Sequence, residues 1–518
     1  MAKKWMNDIY DETYEQIVED FPRLTTKERE SYWSLYSDWY YEDLPQIITM
    51  DKTPQTAGLL YNSALLSKGI LLGTNIEIDK LIGEESSSLL DELYKLRQDK
   101  TLQHNGNSPI DTDSIMFENE YTERKLVGSS NVYKRLKQYY SIKYLDVRNA
   151  LNDKDIAIEF ITDSVDNGNY YALCLKKKYE SPHIVRLFGT DQIRNLIHGN
   201  DIDYDSLSTL VWQPLSTELI GVQRIFFAPA GILYKMPIEY ASTADQKGTL
   251  FADKYSVYRL SSTRQLVLGN IDTKDDISSI TLYGGLNYTD DSINGHTNLS
   301  FIQGSKNEIE KIKELLPQTV KYHIFEGNDG TPASFMALSG SSTNVLHCAT
   351  HAYYWSDSKN RNNERALPSS NYFNSFEDKA LSRSGIYLSK DSNATDYNGL
   401  SEGKLNACEI SKIDLRGTQL VVLSSCKSGL GDINGEGVFG LQRGFKKSGA
   451  QTIIMSLWKV DDTATEILMT EFYRNYLKGK DKRKALNSAQ KYIRGLTDAG
   501  GNYLFQSPYY WAGFIILD

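Results

Sequence analysis

Leu346-His347-Cys348-Ala349-Thr350-His351 and Val421-Val422-Leu423-Ser424-Ser425-Cys426 decide how this chain reads. Each is a short apolar run that ends on a reactive side chain. Such runs, separated by helical segments, mark strands of a parallel sheet buried on both faces. In an open sheet of that kind, ligands bind beyond the carboxyl ends of the strands. If the two strands are neighbours, His351 and Cys426 project from the same edge. The 75 residues between them then make the crossover and carry a long loop. A cysteine attacks as thiolate, a form favoured by an imidazole in hydrogen-bond reach or by the positive end of a helix. The pair therefore predicts nucleophilic catalysis: His351 takes the thiol proton and later returns one to a leaving amine. Backbone N–H groups at Ala352, after the histidine, and at Cys426 are the candidates for an oxyanion site.

More strands of the same kind extend outward from these two. Ile156 to Phe160, Tyr170 to Leu175, Ile184 to Phe188 and Arg224 to Ala228 are β-branched or aromatic runs. Ile280 to Gly284, Thr452 to Leu457 and the closing Tyr510 to Leu517 read likewise. Helices are expected over Ser305–Leu316, Thr463–Leu477 and Asp481–Arg494, and over Leu207–Leu219 with Pro214 as a break or kink. The span from Ser356 to Leu400 is polar and reads as a long functional or decorative loop.

The pattern before residue 150 is different. Thr25-x-x-Glu28 is a capping box opening a helix through Tyr40, and Thr53-Pro54 is a cap followed by proline at the first helical position. Further helices are expected over Glu84–Lys100, Ile115–Leu126 and Val132–Tyr140. The paired helices suggest a short helical-repeat array, without a clean 34-residue period.

Composition bounds the class. The 518 residues allow two to four domains at about 150 residues each. With 57 basic and 67 acidic residues the net charge is −10, which argues against direct nucleic-acid binding. No apolar run approaches the roughly 18 residues of a membrane span, and no apolar core follows Lys3-Lys4 as in a signal peptide. The expectation is a cytoplasmic protein with no membrane association and with its cysteines reduced. Cys174, Cys348 and Cys408 read as buried small hydrophobes, and His347, opposite Cys348 on its strand, as a packing or hydrogen-bonding residue.

A competing motif is Gly435-Glu436-Gly437-Val438-Phe439-Gly440, which matches the GxGxxG dinucleotide fingerprint and has Asp461 downstream. The fingerprint needs its first glycine directly after the strand, whereas ten residues separate Gly435 from Ser424. The glycines fit better as the loop and helix start behind the nucleophile, with Gly437 to Lys447 read as helix.

Together these residues resemble the CHAT family of caspase-like cysteine peptidases. The resemblance rests on the two opening motifs, on Gly435 to Gln442, on Ile453-Ile-Met-Ser-Leu-Trp-Lys-Val-Asp-Asp462, on Tyr510-Trp-Ala-Gly-Phe514 and on Pro229 to Glu239. It covers roughly 147 to 518. It implies an α/β fold of the caspase/separase type: a parallel-rich sheet flanked by helices, in a pseudo-caspase half (147–275) and a catalytic half (276–518). An all-α, partner-binding region (1–146) precedes them. His351 becomes the base and Cys426 the nucleophile. Phe226-Phe-Ala-Pro stands at the analogous strand end of the first half without a cysteine. Where many relatives have glycine after the histidine, this chain has Ala352, which keeps the N–H but resists positive φ. Ser424-Ser425-Cys426 also departs from the Gln-Ala-Cys of caspases proper, so no aspartate preference is implied.

By the same resemblance, Asp461 and Asp462 supply acidity for an Arg or Lys at the cleavage site; Asn287, just after the first strand of the catalytic half, is a candidate for the pocket wall by its position. The alternative for Asp462 is a helix N-cap. Arg361, Arg365 and Arg383 become candidates for self-cleavage. The resemblance implies a specific protein substrate, a regulator bound by the N-terminal helices, and a role in bacterial defence or regulated cell death through a gasdermin-like pore former. The chemistry calls for no metal and no organic cofactor. The rival readings are a non-catalytic scaffold with the same fold and, from GxGxxG, a nucleotide-binding oxidoreductase.

Overall fold

The computed structural model describes residues 2–518 apart from 96–129, 272–276, 289–298, 356–375 and 391–402, and the short stretches 51, 86–87, 89, 92, 165–166, 199–200, 244–245, 270 and 427. Two sheets lie edge to edge, and helices of the first 150 residues cover one of them.

The first sheet has the order 183–189, 169–175, 155–162, 224–228, 256–259. Its central strand Asp155–Thr162 is buried on both faces, so apolar residues stand on both, with Glu159 a buried charge among them. Ile156, Ile158 and Phe160 point into the main core with Trp212 and Phe227. Ala157 and Ile161 point the other way, into a second core shared with Phe21, Leu60, Leu65 and Tyr140 of the N-terminal helices. The strand's period of two thus fastens the helical region to the sheet as a layer of its own.

Helix Pro54–Ser67 lies in that layer and is buried nearly all round, consistent with its lack of a polar face. Thr53 and Thr56 cap it reciprocally, with proline at the first position. Thr25 and Glu28 form the expected capping box, but that helix stops at Trp33, and a π-type turn over Trp39–Asp43 replaces its continuation. At its C-terminal end, helix Pro54–Ser67 delivers Lys68 into the first sheet. The Lys68 ammonium donates to Glu159 Oε2 (2.7 Å) and to the carbonyls of Phe160 (2.7 Å) and Ala228 (3.1 Å). Glu159 also accepts from the N–H and hydroxyl of Thr263. All three ammonium donors are satisfied, although burial pushes the Lys68 pKa down against the pull of Glu159.

The second sheet has the order 321–327, 279–286, 345–348, 420–423, 452–456, 514–517. The first five strands are parallel and the last is antiparallel. Its outer edge meets the first sheet where Asp518 N–H donates to Arg259 O and the Tyr240 hydroxyl to Phe514 O. Helices Gln303–Leu315, Asp462–Tyr476 and Lys482–Arg494 flank it.

Several expectations are corrected. The helix over 207–219 ends at Val211, and a 3-10 turn carries Pro214, which lacks the N–H needed to continue. The polar span from 356 contains helix Phe376–Leu381 and strand Ser384–Tyr387. Gly437 to Lys447 is a strand, Gly437–Gly440, followed by helix Leu441–Lys447. The helices expected over 84–100 and 115–126 lie largely or wholly outside the described residues. Among the described residues no helix is long and apolar enough to cross a membrane.

Candidate active site

Strands Val345–Cys348 and Leu420–Leu423 are parallel neighbours, with Cys348 paired to Leu423. His351 and Cys426 each stand three residues past that pair. Strands run about 4.8 Å apart, so the two segments leave the sheet side by side at its carboxyl edge.

The histidine is held from two directions. Its Nε2 is 2.9 Å from Ser300 O. A carbonyl only accepts, so Nε2 carries the proton and Nδ1 is left as the basic nitrogen. The Tyr288 ring lies against the imidazole, with centroids 4.8 Å apart. The Tyr288 hydroxyl pairs with Thr350 Oγ1 (2.9 Å), and burial is the main cause of its pKa rising to about 12. Nothing in the motifs singled out Tyr288. The available signal was its place just past the strand that pairs with the histidine strand.

Ala352 opens the short strand Ala352–Tyr354, which pairs antiparallel with Ser384–Tyr387. Tyr387 N–H donates to His351 O (2.8 Å), which makes Ala352 and Ile386 a non-hydrogen-bonded pair. The Ala352 N–H therefore points away from the ladder, toward the open edge of this small sheet.

Cys426 is half-buried in a turn fixed by serines. Ser428 Oγ donates to Leu423 O and Ser425 O, Ser456 Oγ donates to Ser425 O, and Ser456 N–H donates to Ser428 Oγ. Gly429 N–H donates to Ser456 O (2.7 Å). The turn is thus bolted to the next strand. Cys174, Cys348 and Cys408 are buried, as expected, and desolvation pushes the first two thiols well up.

His347 is structural. Its Nδ1 meets the Tyr473 hydroxyl at 3.1 Å, and its Nε2 lies 2.9 Å from Glu308 Oε1. Glu308 also accepts from Ser424 Oγ (3.0 Å). Burial raises the Glu308 carboxyl despite His347 and Ser424.

The acidic candidates separate. Asp461 is the N-cap of helix Asp462–Tyr476, accepting from Ala464 N–H at 2.9 Å, so the cap falls on Asp461 rather than Asp462. Asp462 is exposed and packs on Gly304, four residues past Ser300, and its charge bears on Tyr288. Asn287 turns away: its Nδ2 donates to Asn328 Oδ1 and its backbone N–H to Gly327 O, on the side of strand Lys321–Gly327. Arg383 is buried and ion-paired to Asp432, which also accepts from the Tyr354 hydroxyl, so it is no accessible cleavage point. Arg361 and Arg365 lie outside the described residues.

The GxGxxG glycines belong to an antiparallel hairpin, Gly431–Asn434 with Gly437–Gly440, not to a strand–turn–helix phosphate site. A Cβ on Gly435 would sit 2.2 Å from the Tyr41 ring, Gly437 has φ +141°, and a Cβ on Gly440 would meet Leu430 O at 2.4 Å. The closing Trp511-Ala-Gly513 has a similar cause: Gly513 leaves room for Trp458, whose indole N–H donates to Tyr509 O. Among the described residues no group of His, Cys, Asp and Glu is arranged to hold a metal ion.

The CHAT domain family model matches residues 203–517, more than half of the chain. The chain belongs to the CHAT domain family. Among curated proteins, this CHAT chain is 31% identical over 123 residues to tetratricopeptide repeat protein 28 of Homo sapiens, and 32% over 124 residues to that of Mus musculus. Each match covers 24% of this chain and 5% of the relative's length. Solved structures similar to it include the separase–securin complex of Saccharomyces cerevisiae (TM-score 0.46, 10% identity, 99% of this chain and 40% of that one). Another is the Arg-specific cysteine proteinase gingipain R (TM-score 0.35, 9% identity, 63% and 69%).

Proposed function

We propose that this protein is a cysteine endopeptidase in which Cys426 is the nucleophile and His351 the base. The observation that carries the reading is the bond from His351 Nε2 to Ser300 O, which leaves Nδ1 basic three residues past a strand paired in register with the one that precedes Cys426. In the reaction Nδ1 takes the thiol proton and the sulfur attacks the scissile carbonyl. The N–H groups of Ala352 and Cys426 hold the resulting oxyanion. Collapse breaks the C–N bond, and His351 gives its proton to the departing amine. Water, deprotonated by His351, then hydrolyses the thioester.

In this reading residues 276–518 carry the chemistry, 147–275 form a non-catalytic half, and 1–146 take a regulatory protein. Asp462, exposed beside Tyr288, selects a basic side chain, because a carboxylate pairs bidentately with arginine. The family resemblance extends the reading to a cytoplasmic enzyme of bacterial defence or regulated cell death, with a gasdermin-like protein as substrate. Co-expression with such a substrate should release a fragment that ends in Arg or Lys.

The test is an Arg-ending acyloxymethylketone and intact mass spectrometry. Wild type gains one probe adduct, while Cys426→Ala and His351→Ala gain none. Labelling that persists in Cys426→Ala refutes the assignment. Absence of labelling with Arg-, Leu- and Asp-ending probes, in the presence of the partner of the N-terminal helices, supports the scaffold reading instead.

A further inference from the structure

The hairpin that follows Cys426 is held by the N-terminal helices. Its two-residue turn is Gly435-Glu436, since Asn434 pairs with Gly437. Glu436 is buried. Its Oε1 accepts from Leu71 N–H (2.6 Å) and Leu72 N–H (3.3 Å), two of the unpaired donors in the first turn of helix Ile70–Glu85. Its backbone carbonyl accepts from Gly69 N–H (3.0 Å). Behind it, Arg443 Nη2 reaches both carboxylate oxygens at 3.2 Å. The flat side of Gly435 lies on Tyr41, which is itself fixed by Trp33 and Ser67 O. A second anchor runs from Glu30, which accepts Glu377 N–H, while Glu377 pairs with Arg443 and Lys447.

The other end of the hairpin reaches the reactive loop. Gly431 starts two residues after Gly429, whose N–H is fixed to Ser456 O beside the Cys426 turn. Asp432 ties the same strand to Tyr354, three residues past His351. One short element thus touches the cysteine turn, the strand Ala352–Tyr354 that follows His351, and the helical layer.

We propose that Glu436 is a positioning residue, through which the start of helix Ile70–Glu85 sets the loop that carries Cys426. This inference rests on the peptidase reading for its consequence, but not for its geometry. A helix N-terminus gripping a buried carboxylate makes a directional clamp: shifting the helix moves the turn, and the hairpin conveys the shift to the sulfur-bearing loop. The helical layer is then part of the catalytic apparatus, and a protein bound to it acts on Cys426 without touching the cleft.

The test uses the full chain and two readouts. Hydrogen–deuterium exchange follows the peptides carrying Gly69–Leu72 and Ser424–Ser428, and the probe labelling rate follows Cys426. Glu436→Ala should raise exchange at least tenfold in both peptides. It should lower the maximal labelling rate at least tenfold with little change in the concentration that half-saturates it. Glu436→Gln keeps an acceptor for Leu71 and Leu72 and should restore most protection at both. Gly435→Ala drives a Cβ into Tyr41 and should reproduce the loss, and adding Tyr41→Ala should recover it. This pair carries the test if Glu436→Ala does not fold. Faster exchange confined to Gly69–Leu72, with the Ser424–Ser428 peptide and labelling at wild-type values, overturns the proposal. A wild type that no probe labels, even in the presence of the partner of the N-terminal helices, sinks the peptidase reading, while the exchange data still decide the coupling.

Discussion

Cys348 and Leu423 are register partners on adjacent parallel strands, and that single pairing sets His351 and Cys426 abreast, each three residues farther along the chain. Everything else at the site adjusts these two. Ser300 and Tyr288 fix the imidazole, a cluster of serines fixes the cysteine turn, and Glu308 ties Ser424 to the helix that follows Ser300.

Tyr288 orients His351 by its ring rather than its hydroxyl. Tyr288→Phe should leave kcat/KM within about fivefold, because one hydrogen bond to Thr350 contributes about 1 kcal/mol. Tyr288→Ala removes the wall and should lower kcat about 10- to 100-fold, as positioning errors do. Steady-state kinetics on a peptide substrate measure both.

The two aspartates should behave differently. Asp462→Asn should lower kcat/KM for Arg-ending substrates at least tenfold and leave Leu-ending ones unchanged. Asp461→Ala removes a helix cap and should cost about 1 kcal/mol of stability with specificity retained. A substrate panel and a denaturant titration separate the cases.

Breaking the buried Lys68–Glu159 pair leaves one uncompensated charge under the helical layer. Lys68→Met should destabilise the chain by about 3–5 kcal/mol, read as a lower urea midpoint. The double variant Lys68→Met/Glu159→Leu should recover part of that loss, since it removes both charges.

Glu377 sets an acid limit. Burial pushes its carboxyl up, but Lys447 and Arg443 outweigh that and hold it at about 2, against an ordinary value of 4.5. A depressed carboxyl contributes stability that is complete above about pH 4.5 and is lost as the pH falls toward 2. Wild type should therefore lose stability over that window. Glu377→Gln should be less stable at neutral pH and show a flatter profile there. Thermal unfolding at stepped pH values checks the slope.

Much of this is legible because the strands are largely apolar runs. Val421 to Leu423 is wholly apolar and buried on both faces, and only Glu159 interrupts Ile156 to Phe160 and only Thr281 interrupts Ile280 to Gly284. Strand Lys321–Gly327 carries a weak signal because it is the exposed edge of its sheet, with Lys, His and Glu interleaved among Tyr, Ile and Phe. The hairpin at Gly431–Gly440 reads as loop and helix in sequence because its glycines answer to Tyr41 and Leu430, contacts invisible along the chain. Tyr288 and Glu436 carry no signal of their own for the same reason: each matters through a partner more than 60 residues away. Asn287 is a pocket candidate by position alone, and its side chain turns instead toward Asn328, beside strand Lys321–Gly327.

The most direct measurement of the central claim is the rate at which iodoacetamide alkylates Cys426 from pH 5 to 10, in wild type and in His351→Ala. A cysteine paired with His351 reacts readily near pH 6. Its rate there should fall at least tenfold in His351→Ala, and the two proteins should converge near pH 10, where any accessible thiol is ionised. Superimposable profiles for wild type and His351→Ala would contradict the dyad.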